Sequence, residues 1–287
     1  MTGRRSPYPT TKRLRDVMNS PRHSPTSSED EHALRLTALA AITPALLSKL
    51  GEPLADARLL DLGCGIGEPA LTAAHSWPYV VGCDQDERAL EVARARADAE
   101  HLNNVELRQA SFENLDLADA SFEAAISRFG VLMFGGREAG ARELARVLAP
   151  GAPYALALWS APDDNPYLRL GLRTIERVLG SLEGLPDMAA AFSALGSTST
   201  VLSWLTGAGM TTAESDWFDW DAEFPDIESA CHYLMTAGGP LAGFYAALSD
   251  EQREKTGTVQ AELVAAEQGS GSGVGLRSRC RIVSGAR

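Results

Sequence analysis

Residues Leu59–Leu71 read LLDLGCGIGEPAL, and no other stretch constrains the fold as strongly. An apolar run broken by one acid, Asp61, gives way to glycines at three alternate positions, Gly63, Gly65 and Gly67, and then to helix-forming residues. That order describes a buried strand, a turn with a bare backbone and a helix start. It is the pattern of the first βα turn of an open α/β sheet, where ligands sit beyond the carboxyl ends of the strands. A dinucleotide fingerprint, G-x-G-x-x-G, would need a glycine at position 68, where this chain has Glu68. A carboxylate in the first helical turn opposes a pyrophosphate by like-charge repulsion, so the expected ligand is cationic or zwitterionic. Asp84 closes the next apolar run, VVGCD, and is placed to accept two hydrogen bonds from a ribose diol.

The alternation continues along the chain. ARLLDLG, YVVGCD, NVELRQA, FEAAISR and PYALALWS read as strands, with EPALTAAHS, QDERALEVARARADAEH and REAGARELARVL as helices among them. Strands separated by helices imply a parallel, doubly wound sheet. Upstream, Leu34, Leu36, Leu39, Ile42, Leu46, Leu47 and Leu50 form a wide apolar stripe closed by Gly51, which predicts one helix packed on the sheet. After Ser160 the rhythm changes. Helical patterns dominate to STVLSWLTGAGM, then come a strand, TTAESDWFDW, a helical stretch from Pro225 to about Gln268 and a last strand, GLRSRCRIVS. Residues 31–160 are thus expected to form the ligand-binding core. Residues 161–287 complete the sheet and add a helical substrate lid, at about 160–195 and 222–268.

Composition narrows the partners. With 287 residues and 45% hydrophobic content the chain can bury one large α/β core, alone or with a cap. Lys and Arg number 26 against 38 Asp and Glu, a formal charge of −12, which disfavours nucleic acid and anionic membranes and leaves a small molecule as the expected partner. Cys64, Cys83, Cys231 and Cys280 form no C-x-x-C pair and have no histidine at zinc-site spacing, so no metal is expected and the thiols suit a reducing cytoplasm. Arg4-Arg5 lacks the apolar segment of an export signal, and the longest apolar stretch, ALAAITPALL, is too short to cross a bilayer. A homo-oligomer stays open.

Four motifs in order, LLDLGCGIG, VVGCD, RQASFENLDLADASFEAAISRFGVLMF and LARVLAPGAPYALALW, cover about Leu59 to Trp159. Together they resemble the class I S-adenosylmethionine-dependent methyltransferases. The resemblance implies a Rossmann-like seven-stranded α/β sheet with helical insertions, S-adenosyl-L-methionine as cofactor, and methyl transfer. ISRFGVLMF and ALWSAPDDNPY further resemble a bacterial subgroup that acts on small molecules, which points to a secondary-metabolite acceptor. Carried over position by position, the loop from Asp61 to Gly67 would hold the cofactor. Gly63 and Gly65 would admit its methionyl part, Asp61 would reach the amino group through water, and Asp84 would hold the ribose. Gln85 would lie along the adenosine edge, and Phe112 would pack on the adenine. Ser111 stands where the family often has an acidic residue, which weakens the polar anchor for the base. Ser127 and Arg128 end the fourth strand, facing the amino-acid end of the cofactor, and Arg128 either pairs with its carboxylate or forms a structural ion pair.

A sulfonium methyl is already activated, so the protein has mainly to align a nucleophile and exclude water. If the acceptor is a hydroxyl, His232 and Tyr233 are the candidate general bases, while Asp163 and Asp164 suit a turn before Asn165-Pro166. Trp217, Phe218 and Trp220 are read as alternating on a strand, with both tryptophans on one face as an apolar substrate wall or as core. Residues 1–30 are basic and rich in Ser and Pro. Within them, Tyr8 and the amphipathic stretch to Met18 are expected to cover the substrate entrance. Two other readings keep the cofactor fold: a cyclisation or rearrangement enzyme, and a non-catalytic adenosyl-ligand protein. A nicotinamide dehydrogenase is disfavoured by Glu68 and by the lack of a Tyr-x-x-x-Lys pair.

Overall fold

The computed structural model describes residues 29–131, 137–159, 161, 165–180, 197–236, 245, 248–267 and 274–287. Tyr8 with its tail, Asp163, Asp164 and the helical pattern at 186–195 lie outside the described residues. Seven strands form one sheet in the order β3-β2-β1-β4-β5-β7-β6. They are β1 (Arg58–Leu62), β2 (Tyr79–Asp84), β3 (Val105–Gln109), β4 (Ala124–Arg128), β5 (Pro153–Trp159), β6 (Thr212–Phe224) and β7 (Val274–Ala286). The first five pair in parallel, with registers such as Leu60↔Val81 and Leu60↔Ala125. β7 runs antiparallel to β5, Leu156 facing Val283. The seven strands implied by the resemblance are present, but the sheet is mixed, which corrects the wholly parallel sheet expected from strand alternation.

The described residues cluster into two units. One comprises 40–160, 193–218 and 280–287, hence β1–β5 and one end each of β6 and β7. On its sheet lie α2 (Ile42–Leu47), α3 (Ala70–Ala74) and α4 (Glu87–Ala99), and α7 (Thr198–Gly207) packs on α5 (Arg137–Val147). α4 begins where the Asp86 carboxylate accepts the Arg88 N–H, and it buries Leu90, Ala93 and Ala97 at helical spacing. The other unit holds α1 (Glu29–Ala38), α6 (Pro166–Leu179), α8 (Ile227–Thr236) and α9 (Asp250–Glu267), with α9 against α6 and α8, and α8 against α1. No helix among the described residues is long and apolar enough to cross a membrane.

The single N-terminal helix expected from the leucine stripe is two, α1 and α2, separated by a turn at 39–41. Pro44 explains the break. A proline clashes with the carbonyl four residues before it and offers no N–H, which a helix tolerates in its first turn but not in its interior. The helix therefore restarts at Ile42, with Pro44 at its third position.

Candidate functional site

The strand order reverses between β1 and β4: β1, β2 and β3 run out one way, β4 and β5 the other. Ligands of open α/β sheets bind at the carboxyl ends of strands on either side of such a switch. Here the turn after β1 meets the turn after β4. A Cβ on Gly63 (φ +83) would stand 2.6 Å from the Cα of Gly130, and one on Gly130 would stand 2.4 Å from the Leu62 carbonyl oxygen. The Ser127 hydroxyl clips the two turns together, donating to the Leu62 carbonyl at 2.5 Å and accepting the Val131 N–H at 2.9 Å. On the other side, the N–H groups of Gly63 and Cys64 both donate to the Cys83 carbonyl, at 2.8 and 3.1 Å, at the end of β2.

The three loop glycines serve different ends. Gly65 (φ +51) has nothing within 4 Å of its Cβ position, so its backbone borders open space. Gly67 (φ +107) is buried, and its Cβ would meet Leu71 Cδ1 at 2.6 Å. Its bareness allows α3 to pack against the turn.

Two carboxylates flank the open backbone. Asp84 Oδ2 accepts the Gly65 N–H at 2.8 Å and Oδ1 the Asp86 N–H at 2.9 Å. Burial raises its pKa, and these two N–H groups hold it back. Asp61 is fully buried in β1; Oδ2 accepts the Ala70 N–H at 2.8 Å, while Oδ1 has no hydrogen-bond partner. Burial pushes the Asp61 carboxyl up to about 8, against the pull of the Arg128 guanidinium and the Ala70 N–H and with the repulsion of Glu68 and Asp84. Arg128 Nη1 also donates to Thr43 Oγ1 at 3.1 Å.

Glu68 is not the charge filter that the sequence suggested. Arg96 of α4 reaches back to donate to the Ile66 carbonyl at 2.6 Å and to Glu68 Oε1 at 3.0 Å, and Thr72 donates to Glu68 Oε2 at 2.7 Å. The Glu68 charge is matched locally, and the residue braces the loop. No motif spacing links positions 68 and 96, which is why the brace escaped the sequence reading.

Phe112 is half-buried beside the turn, its Cζ 3.4 Å from the Gly63 Cβ position. Ser111 is exposed in a short bridge with Asn114, and Gln85 is exposed, its carbonyl accepting from Gln109 Nε2 at 3.1 Å. Asp61, Gly63, Gly65, Asp84, Phe112, Ser127 and Arg128 are thus gathered at the ends of β1, β2, β3 and β4.

The two tryptophans do not share the face expected of them. Trp217 and Trp220 are three residues apart, and side chains alternate with a period of two, so they point to opposite faces of β6. Trp217 is 42% exposed, its ring 3.9 Å from the Arg281 guanidinium carbon, whereas Trp220 is buried and donates its indole N–H to the Ala38 carbonyl at 2.8 Å. In the second unit Tyr233 is buried, its ring 5.2 Å from that of Phe224, and half-exposed His232 has Nε2 3.3 Å from Glu31 Oε1.

An aromatic pair that the sequence reading passed over lies at the sheet's carboxyl edge instead. Phe129, directly after β4, stacks on Trp159, the last residue of β5, with centroids 3.9 Å apart and planes 6° from parallel. Phe129 has φ +60, a left-handed conformation that costs a non-glycine residue about 1–2 kcal/mol. Such strain persists where surroundings enforce it, and it concentrates at functional sites.

The family description "Methyltransferase domain" matches residues 59–151. The chain is 34% identical over 122 residues to the uncharacterized methyltransferase YcgJ of Bacillus subtilis, covering 42% of this chain and 47% of that one. It is 33% identical over 171 residues to a demethylmenaquinone methyltransferase of Clavibacter sepedonicus, covering 56% and 69%. It therefore spans about half the length of the first of these relatives. The crystal structure of the Bacillus subtilis YcgJ protein shares the fold, with a TM-score of 0.56 at 20% identity over 87% of this chain and 97% of that one. The glycine turn, the seven-strand order and these matches agree: the chain belongs to the class I S-adenosylmethionine-dependent methyltransferase family.

Proposed function

We propose that this protein transfers a methyl group from S-adenosyl-L-methionine to a small-molecule acceptor, with the cofactor held at the ends of β1, β2 and β4. The observation that carries this reading is the open backbone at Gly65 between two carboxylates that retain accepting capacity. Each Asp84 oxygen accepts one N–H and keeps lone pairs for the ribose hydroxyls. Asp61 Oδ1, buried without a donor, suits an ammonium group or a water bound to it. Phe112 offers a face for the adenine, and Arg128 a cation for the carboxylate. The residues present therefore fit the family's cofactor.

When bound, the cofactor supplies a methyl already activated on sulfonium, and an in-line displacement needs no covalent enzyme intermediate. What falls to the chain is to bind, orient and exclude water, and orientation of this kind contributes up to about 7–11 kcal/mol. A relative named for demethylmenaquinone supports a small organic acceptor. Incubation with methyl-labelled S-adenosylmethionine and a panel of phenols, quinols and amines tests the reading. Label in one small product with matching S-adenosylhomocysteine release is expected. Turnover of a substrate without label in the product would overturn it.

A further inference from the structure

We propose that the stacked Phe129–Trp159 pair is the platform on which the acceptor lies, and that it selects planar, apolar acceptors. This deepens the methyl-transfer reading and rests on it. Phe129 and Trp159 occupy the carboxyl ends of adjacent strands β4 and β5, on the edge that carries the glycine turn. Phe129 immediately precedes Gly130, the residue packed against Gly63. Phe129 is thus the sequence neighbour of the contact that closes the cofactor turn.

The backbone does not call for an aromatic residue at 129. Its φ of +60 is a conformation glycine adopts without steric penalty, and the Phe129 N–H is tied to the Ala157 carbonyl at 2.9 Å whatever the side chain. A phenyl ring kept there against that strain needs another reason. Packing supplies only part of one, because both residues of the pair are half-buried.

Geometry then favours one ligand class. Two rings 6° from parallel make a flat stack, and a further planar ring adds to such a stack in the offset arrangement aromatic groups prefer. A cationic amine is recognised differently, by several ring faces converging on one point, and two parallel rings do not converge. The structure therefore assigns the acceptor to planar, apolar molecules of the phenol or fused-ring type, in preference to aliphatic amines.

The test uses 1-naphthol as a planar probe and dimethylethanolamine as an aliphatic amine, each titrated into the full chain saturated with S-adenosylhomocysteine. 1-Naphthol is expected to bind and the amine is not. Phe129→Gly is expected to weaken 1-naphthol binding tenfold or more, with Tm close to wild type and S-adenosylhomocysteine affinity unchanged, because glycine satisfies the turn. Trp159→Leu is expected to weaken it in the same sense. The platform is overturned if 1-naphthol binds Phe129→Gly as tightly as wild type, if it does not bind at all, or if the amine binds more tightly. Failure of S-adenosylhomocysteine to bind the wild-type chain marks a different error: the cofactor reading itself falls, and the platform falls with it.

Discussion

Around Gly63 the chain is packed so closely that a methyl group has no room, whereas on α9 of the helical unit nothing lies within 4 Å of where a Gly257 Cβ would stand. The charged groups differ in the same way. At the glycine turn the Asp61 carboxyl is buried, as is the uncharged Ser127, and their bonds run from one strand end to the next turn. In the helical unit the ion pairs Arg173–Glu267, Arg177–Glu262 and Arg253–Asp250 stand at the surface, where such pairs contribute about 0–1 kcal/mol. The contrast teaches where side-chain identity is fixed by geometry and where composition suffices.

The sharpest way to break the contrast is one substitution made in both places. Gly63→Ala combines a positive φ with a backbone clash, and overpacking of this kind costs about 1–3 kcal/mol before strain is added. Urea unfolding is expected to show that loss, with cofactor binding abolished. A stable variant that still binds would deny the close approach of the two turns. Next in size is Asp84→Ala. Removing a hydrogen bond to a charged acceptor costs about 1.5–3 kcal/mol, so S-adenosylhomocysteine affinity should fall tenfold or more in calorimetry. Unchanged affinity would mean that the ribose is held elsewhere.

Asp61 gives a pH test of intermediate size. Its carboxyl is raised from 3.8 to about 8, so the folded apo protein favours the protonated form. That contribution to stability is complete below about pH 4 and is lost as pH rises through about 8. A cationic ligand favours the ionised form, so affinity for S-adenosylmethionine should rise over the same interval while apo Tm falls. Asp61→Asn should flatten both profiles, and a wild type with neither slope would contradict the buried carboxyl. The smallest expected effect is Gly257→Ala. At an open site inside a helix, alanine is favoured by about 0.5–1 kcal/mol, so unfolding should show a slight gain, opposite in sign to Gly63→Ala.

The same contrast decides what could be read from the sequence. The turn was legible because bare backbone, strand ends and an acid at the next strand end are all local patterns, and Gly63, Gly65, Asp61 and Asp84 do converge. Gly67 has a packing role that no local pattern marks, because the residue filling the space beside it is Leu71 of the next helix. Arg96 and the Phe129–Trp159 pair were missed because each acts across elements distant in sequence. The one local hint was a bulky residue ahead of Gly130 at a strand end. Trp217 and Trp220 were misplaced by a parity error, since an odd separation on a strand changes the face. Pro44 was visible in the stripe it interrupts, and the break at 39–41 follows from its ring.

The central claim is that the turn between Asp61 and Gly67 holds S-adenosylmethionine or its demethylated product and not a dinucleotide. Calorimetric titration of S-adenosylhomocysteine into the wild-type chain, alone and with saturating NAD, tests it directly. Stoichiometric binding unchanged by NAD is the predicted result, and displacement by NAD, or binding of NAD alone, would contradict it.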